Sequence, residues 1–129
     1  MNMNPVGWFE IYVHDMPRAK AFYERVLGRA LTLLPTEGME GPSIEMYAFA
    51  MSEEPLPGAS GALVKMEGFA PNGNGILVYF SCEDCAVEAG RVEAAGGRIQ
   101  QQKISIGPYG FCALAVDTEG NMFGLHSMH

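Results

Sequence analysis

Residues 8–29 read WFEIYVHDMPRAKAFYERVLGR, and residues 77–98, LVYFSCEDCAVEAGRVEAAGGR, lie over them without a gap. At this offset of 69 residues Asp15 falls on Asp84, Glu24 on Glu93, Gly28 on Gly97 and Arg29 on Arg98. Agreement of punctuation at a fixed offset marks an internal duplication. Each copy opens on an apolar and aromatic run typical of a strand, Trp8 to Val13 and Ile76 to Cys82. Each then reaches an aspartate able to accept hydrogen bonds from the first amides of a helix. In the first helix Ala19, Phe22, Tyr23, Val26 and Leu27 form an apolar stripe, and in the second Cys85, Ala89, Val92 and Gly96 form a smaller one. Gly28 and the pair Gly96-Gly97 mark the expected helix ends.

Three further strands are expected after each helix. In the first copy they are Ala30–Leu34, Ile44–Met51 and Ser60–Met66; in the second, Arg98–Lys103, Phe111–Val116 and Asn121–His126. Asp117-Thr118-Glu119-Gly120 reads as the turn joining the last two. The chain is therefore expected to be α+β, a βαβββ module used twice. The expected boundaries are 6–68 for module 1, 69–75 for the linker and 76–129 for module 2, all within one domain spanning 1–129. Two such modules would form a curved mixed sheet around a central cleft. Strand periodicity puts Trp8, Glu10 and Tyr12 on one face, with Leu77, Tyr79 and Ser81 as their repeat equivalents and Met122, Gly124 and His126 as a matching set on the last strand.

Composition limits the function classes. The chain has 129 residues, 48% of them hydrophobic, which is enough for a core without disulfides or a structural metal. Eight Lys and Arg against fifteen Asp and Glu give a net charge of −7, a field that repels phosphate backbones and anionic lipid. Nucleic acid and membrane are thus not expected partners, whereas a cationic small molecule meets no such barrier. The opening residues show no leader pattern and the three cysteines are an odd count, which together predict a cytoplasmic chain. Phosphate-loop, dinucleotide-binding and nucleophile-elbow motifs are absent from the sequence, so no cofactor is expected.

The duplicated pattern, with EIYVHDMPRAKAFYERVLG early, EAAGG in the middle and VDTEGNMFGL late, resembles the vicinal oxygen chelate superfamily, which includes glyoxalase I, bleomycin-resistance proteins and extradiol dioxygenases. The resemblance implies metal-ligand positions on the first and last strands of each module. Counting seven back from the two helix-capping aspartates gives Trp8 and Leu77, and counting seven forward from Asp117 gives Gly124. The fourth position falls within Gly61–Met66, where Lys65 is the polar side chain. None of these suits a cation, so no metal is expected. The resemblance also implies a homodimer.

Glu10 is the leading candidate. A carboxylate among Trp8, Phe9, Ile11 and Tyr12 is costly to bury unless hydrogen bonds or a cation compensate. It reads as a general base or a ligand anchor, or else as an edge carboxylate held by a backbone amide or facing solvent. His126 is its candidate partner. Trp8, Tyr12, Tyr79, Ser81 and Met122 are the expected ligand-binding residues, and Tyr109 and Phe111 are further aromatic candidates, with core packing an equal account of Trp8 and Phe111. Cys82 and Cys85 form a CxxC at a helix start, but the acidic residues between them disfavour a reactive thiolate, and both cysteines are expected to be packed.

Three functions remain open. The first is metal-independent binding of a small cationic or aromatic molecule, comparable to bleomycin-resistance-type sequestration. The second is a metal-independent isomerase or lyase with Glu10 as base. The third is a metal enzyme with a displaced site built from Glu10 and His126.

Overall fold

In the computed structural model the described residues are 5–49, 58–71 and 75–129. The element order is β1 (Val6–Tyr12), α1 (Met16–Leu27), β2 (Thr32–Leu34), β3 (Ile44–Ala48), β4 (Ser60–Met66), β5 (Ile76–Ser81), α2 (Cys85–Ala89), β6 (Arg98–Ser105), a short 3-10 turn (Gly107–Tyr109), β7 (Phe111–Val116) and β8 (Met122–Ser127). β1 pairs parallel to β4, and β4–β3 and β3–β2 pair antiparallel, giving the order β2-β3-β4-β1. The second copy repeats this wiring as β5-β8-β7-β6, with β5 parallel to β8. The fold is the expected α+β duplication. The expected third strand stops at Ala48, short of Met51, and residues 50 and 51 lie outside the described residues, as do 72–74 of the expected linker.

The chain packs as two compact units, one comprising Trp8–Thr36 and Gly41–Ile76 and the other Met1–Gly7, Glu37–Glu40 and Leu77–His129. The loop between β2 and β3 thus contributes Glu37–Glu40 to the unit built on the second copy. It is held there by an antiparallel bridge from Met39 to Ile106 and by the Glu40 N–H, which donates to the Ser105 carbonyl at 3.2 Å.

In the first unit α1 lies over the face of β1 that carries Phe9, Ile11 and Val13. Val13, Met16, Leu31 and Leu63 form the buried cluster, with Ile11, Ala19, Tyr23, Tyr47 and Phe49 packed around it. Asp15 caps the helix by accepting from the Arg18 N–H at 3.0 Å, and Gly28, at φ 68°, closes it. The expected stripe is only partly buried. Ala19 and Tyr23 pack with Met16, whereas Phe22, Val26 and Leu27 are 59%, 63% and 51% exposed. Met16, Ala19 and Tyr23 stand on one line of the helix, and Phe22 and Val26 are rotated away from it. Beyond the helix, the Glu24 carboxylate accepts from the Leu31 N–H at 2.7 Å and from Lys20. The Leu31 amide first, then Lys20, holds Glu24 below the usual carboxylate range.

In the second unit Cys85, Ala89, Ala113 and Leu125 are the buried cluster. The expected second helix is shorter than its sequence pattern, ending at Ala89 and continuing as tight turns in which Arg91 N–H reaches the Glu88 carbonyl and Val92 N–H the Ala89 carbonyl. Gly90 explains the early stop: it adds no side-chain packing and costs more backbone entropy in a helix than any other residue. The start is tied twice. Asp84 accepts from the Ala86 N–H at 3.0 Å and from Lys103 Nζ at 2.8 Å, while buried Ser127 Oγ accepts from the Cys85 N–H at 2.9 Å and donates to the His129 carbonyl. No helix among the described residues is long and apolar enough to cross a membrane.

Candidate functional site

Strand alternation on β1 works as expected: with Phe9, Ile11 and Val13 under α1, residues Trp8, Glu10 and Tyr12 share the opposite face. Register fixes their neighbours, with Trp8 opposite Ser60, Glu10 opposite Ala62 and Tyr12 opposite Val64. Glu10 is 6% exposed. Its carboxylate is neither solvated nor at an open edge: Trp8 Nε1–H donates to Oε2 at 3.1 Å, and the Tyr12 hydroxyl donates to Oε1. Two donors aimed at the two oxygens suit the anionic form and offset the cost of burying it. Tyr12 is itself buried and stacks on Phe69 at a centroid separation of 4.9 Å. The sequence contained the signal for this network, since tryptophan, glutamate and tyrosine alternate along one strand face.

The other candidates lie in the second unit. On β8, Met122, Gly124 and His126 share a face, and His126 is flanked in the ladder by Ser81 of β5 and Cys112 of β7. His126 Nε2 lies 2.6 Å from the Tyr109 carbonyl oxygen. A carbonyl only accepts, so Nε2 carries the proton and donates, and in the neutral ring Nδ1 keeps the lone pair. Tyr109 thus enters through its main chain, a contact for which sequence offers no signal. Met122, half-buried, sits opposite Val116. Ser81 is exposed at the end of β5, its hydroxyl over Gly7, and its N–H donates to the Pro5 carbonyl at 2.9 Å.

For Phe111 the packing alternative holds: it lies on the helix side of its sheet, beside the Cys85 cluster, with Lys103 Nζ 4.6 Å from its ring centroid. Alternation along β7 puts Cys112, not Phe111, on the face shared with His126.

The residues at the ligand positions implied by the resemblance do not fit a metal ion. Leu77 is fully buried and apolar. Tyr79 pairs with Gly124 as its repeat equivalent Glu10 pairs with Ala62, which identifies the fourth position as Ala62. At Gly124 the obstacle is spatial as well as chemical: a Cβ there would lie 2.3 Å from Tyr79 Cδ2 and 2.4 Å from Cε2. The Tyr79 ring fills the volume that a chelating side chain at 124 would need. Among the described residues no group of three His, Cys, Asp or Glu is placed to hold an ion elsewhere.

The CxxC pair is not arranged for redox chemistry. Cys85 is buried in the core cluster, and Cys82 is half-buried, more open than expected, with its thiol directed to the Phe80 carbonyl at 3.7 Å. Burial first, then the Glu88 carboxylate, pushes the Cys82 thiol up to about 11, away from a reactive thiolate.

The family model for the Glyoxalase/Bleomycin resistance protein/Dioxygenase superfamily matches residues 6–125. No curated protein matches the chain. Among solved structures, a methylmalonyl-CoA epimerase in complex with methylmalonyl-CoA and NH4+ is similar at TM-score 0.64 and 18% identity, over 98% of this chain and 95% of that one. An NAD-dependent benzaldehyde dehydrogenase from Legionella pneumophila gives TM-score 0.58 and 16% identity, over 95% of this chain and 98% of that one. A hypothetical protein from Bacillus halodurans C-125 gives 0.65 and 14%, over 95% of this chain and 92% of that one. At these identities the likeness establishes the fold and leaves the chemistry to the residues.

Proposed function

Because the chain belongs to the Glyoxalase/Bleomycin resistance protein/Dioxygenase superfamily, we propose that it binds a small organic molecule without a resident metal ion. The observation that carries this reading is the buried Glu10 carboxylate, oriented by Trp8 and Tyr12 on a sheet face otherwise built from apolar and small side chains. An anchored anion beside an indole recognises a cationic or hydrogen-bond-donating group and an aromatic surface. The net charge of −7 draws cations toward the protein. In this reading Trp8, Glu10 and Tyr12 are the recognition residues of one unit, and Tyr79, Ser81, Met122 and His126, with Nδ1 as an acceptor, those of the other.

A second reading, an isomerase or lyase in which Glu10 takes a proton, draws support from the similar fold of an epimerase holding a CoA ester. Both carboxylate oxygens are engaged by donors from Trp8 and Tyr12, an arrangement that suits an anchor more than a group that must take up a proton, so binding is the preferred reading.

A thermal-shift screen of organic cations and aromatic amines against wild type and Glu10→Gln tests the proposal. A guest at a hundred times its Kd should add about 2.7 kcal/mol of stability to wild type. The variant should bind at least about tenfold more weakly. Equal binding by the variant, or no stabilising compound of either class, refutes the reading. Conversion of a bound compound by wild type that is lost in Glu10→Gln with affinity kept would establish the second reading in its place.

A further inference from the structure

We infer that Glu40, a residue of the exposed loop between β2 and β3, is the positioning residue for His126. Its side-chain Oε2 accepts from the Ser105 N–H at 2.9 Å, and its own N–H donates to the Ser105 carbonyl at 3.2 Å, so it grips the end of β6 on both sides of one residue. The Met39–Ile106 bridge extends the grip by one residue. The turn that follows is closed on itself: Ser105 Oγ accepts from the Gly107 N–H at 3.2 Å, the Ile106 N–H donates to the Gly110 carbonyl at 2.8 Å, and the Gly110 N–H donates to the Gly107 carbonyl at 3.2 Å. That closed turn presents the Tyr109 carbonyl to His126 Nε2. Fixing the carbonyl fixes which ring nitrogen carries the proton, and so which one can accept from a guest.

Close packing supports the route. Gly107, at φ 66°, runs against the loop so tightly that a Cβ would lie 3.2 Å from the Glu37 carbonyl oxygen. The functional weight of Glu40 rests on the guest-binding reading above. The arrangement itself is readable without any guest, so an empty screen and a failed positioning result are separate findings.

The test is exchange of the imidazole ring proton by NMR on the full chain. Of the three histidines, His14 and His129 are exposed and His126 is half-buried, so a protected ring proton belongs to His126, and His126→Gln confirms the assignment by removing it. In wild type this proton should exchange at least about tenfold more slowly than those of the other two. Glu40→Ala and Glu40→Lys should erase the difference, and Glu40→Gln, whose amide oxygen still accepts from Ser105, should keep it. An unprotected ring proton in wild type overturns the inference, as does protection that persists in a folded Glu40→Ala or Glu40→Lys chain. Failure of both variants to fold also overturns it, because Glu40 would then carry the fold and not one loop.

Discussion

Gly124→Ala isolates the contact that closes the family's metal position. The added Cβ would stand 2.3, 2.4 and 2.8 Å from Tyr79 Cδ2, Cε2 and Cγ. Carbon atoms in contact prefer about 3.5–4.0 Å, so one edge of the ring must move by more than about 1 Å. Tyr79 is nearly buried and Gly124 lies in a ladder paired on both sides, to β5 and β7, so neither partner has free room. Overpacking of this kind costs about 1–3 kcal/mol. In a chain of this size that lowers Tm by roughly 3–15 °C. The assay is thermal and urea unfolding of a double-mutant cycle with Tyr79→Leu, which takes the ring away. Gly124→Ala should be destabilising beside Tyr79 and much less so beside Leu, with a coupling of at least about 1 kcal/mol. A Gly124→Ala chain as stable as wild type, or one equally destabilised in both backgrounds, would refute the claim that the ring excludes a side chain at 124.

Two further outcomes follow from the titrating groups. Glu24, Asp84 and Asp117 all have depressed pKa values in the folded chain, set chiefly by the Leu31 amide, by Lys103 and by the Asn121 amide respectively. Stability from a depressed carboxylate is complete above its unfolded value of about 4 and is lost as pH falls through the lower folded value. The urea midpoint should therefore decline below about pH 4, and less steeply in Asp117→Asn; an acid limb that is unchanged in that variant would contradict the assignment. Cys82, with its thiol at about 11, should react with a disulfide reagent at pH 8 about tenfold more slowly than a small free thiol, the smaller thiolate fraction outweighing its greater nucleophilicity. Labelling in Cys85→Ser at the rate of the free thiol would show that Cys82 is not held in this state.

The fold was legible because its signals are local. Asp15 and Asp84 announce helix starts, the alternation of Trp8 to Val13 announces a half-buried strand, and the offset between copies is preserved through their glycines. The length of α2 was not legible, because Gly90 interrupts a stripe that continues in sequence to Gly96, and the pattern of apolar residues does not weigh backbone entropy. Trp8 and Tyr12 could have been read as donors to Glu10, since strand periodicity already placed them beside it. The rest needed pairing register. That Tyr79 lies over Gly124, that Ala62 is the counterpart of Gly124, and that Phe111 lies on the helix side all follow from which residues face each other across a ladder. The side chains of Glu40 and His126 each end on a main-chain atom of the partner, the Ser105 N–H and the Tyr109 carbonyl, which every residue type possesses, so composition cannot flag them.

The passage of Glu37–Glu40 into the unit formed by Leu77–His129 bears on how this chain could be recombined. A duplicated gene invites the idea of interchangeable halves, each portable on its own. Here a fragment severed at residue 76 would forfeit Met39 and Glu40, exposing the Ser105 and Ile106 backbone that they cover. Chimeras with homologous chains should accordingly place their crossovers so that the β2–β3 connection and the end of β6 are inherited from the same parent.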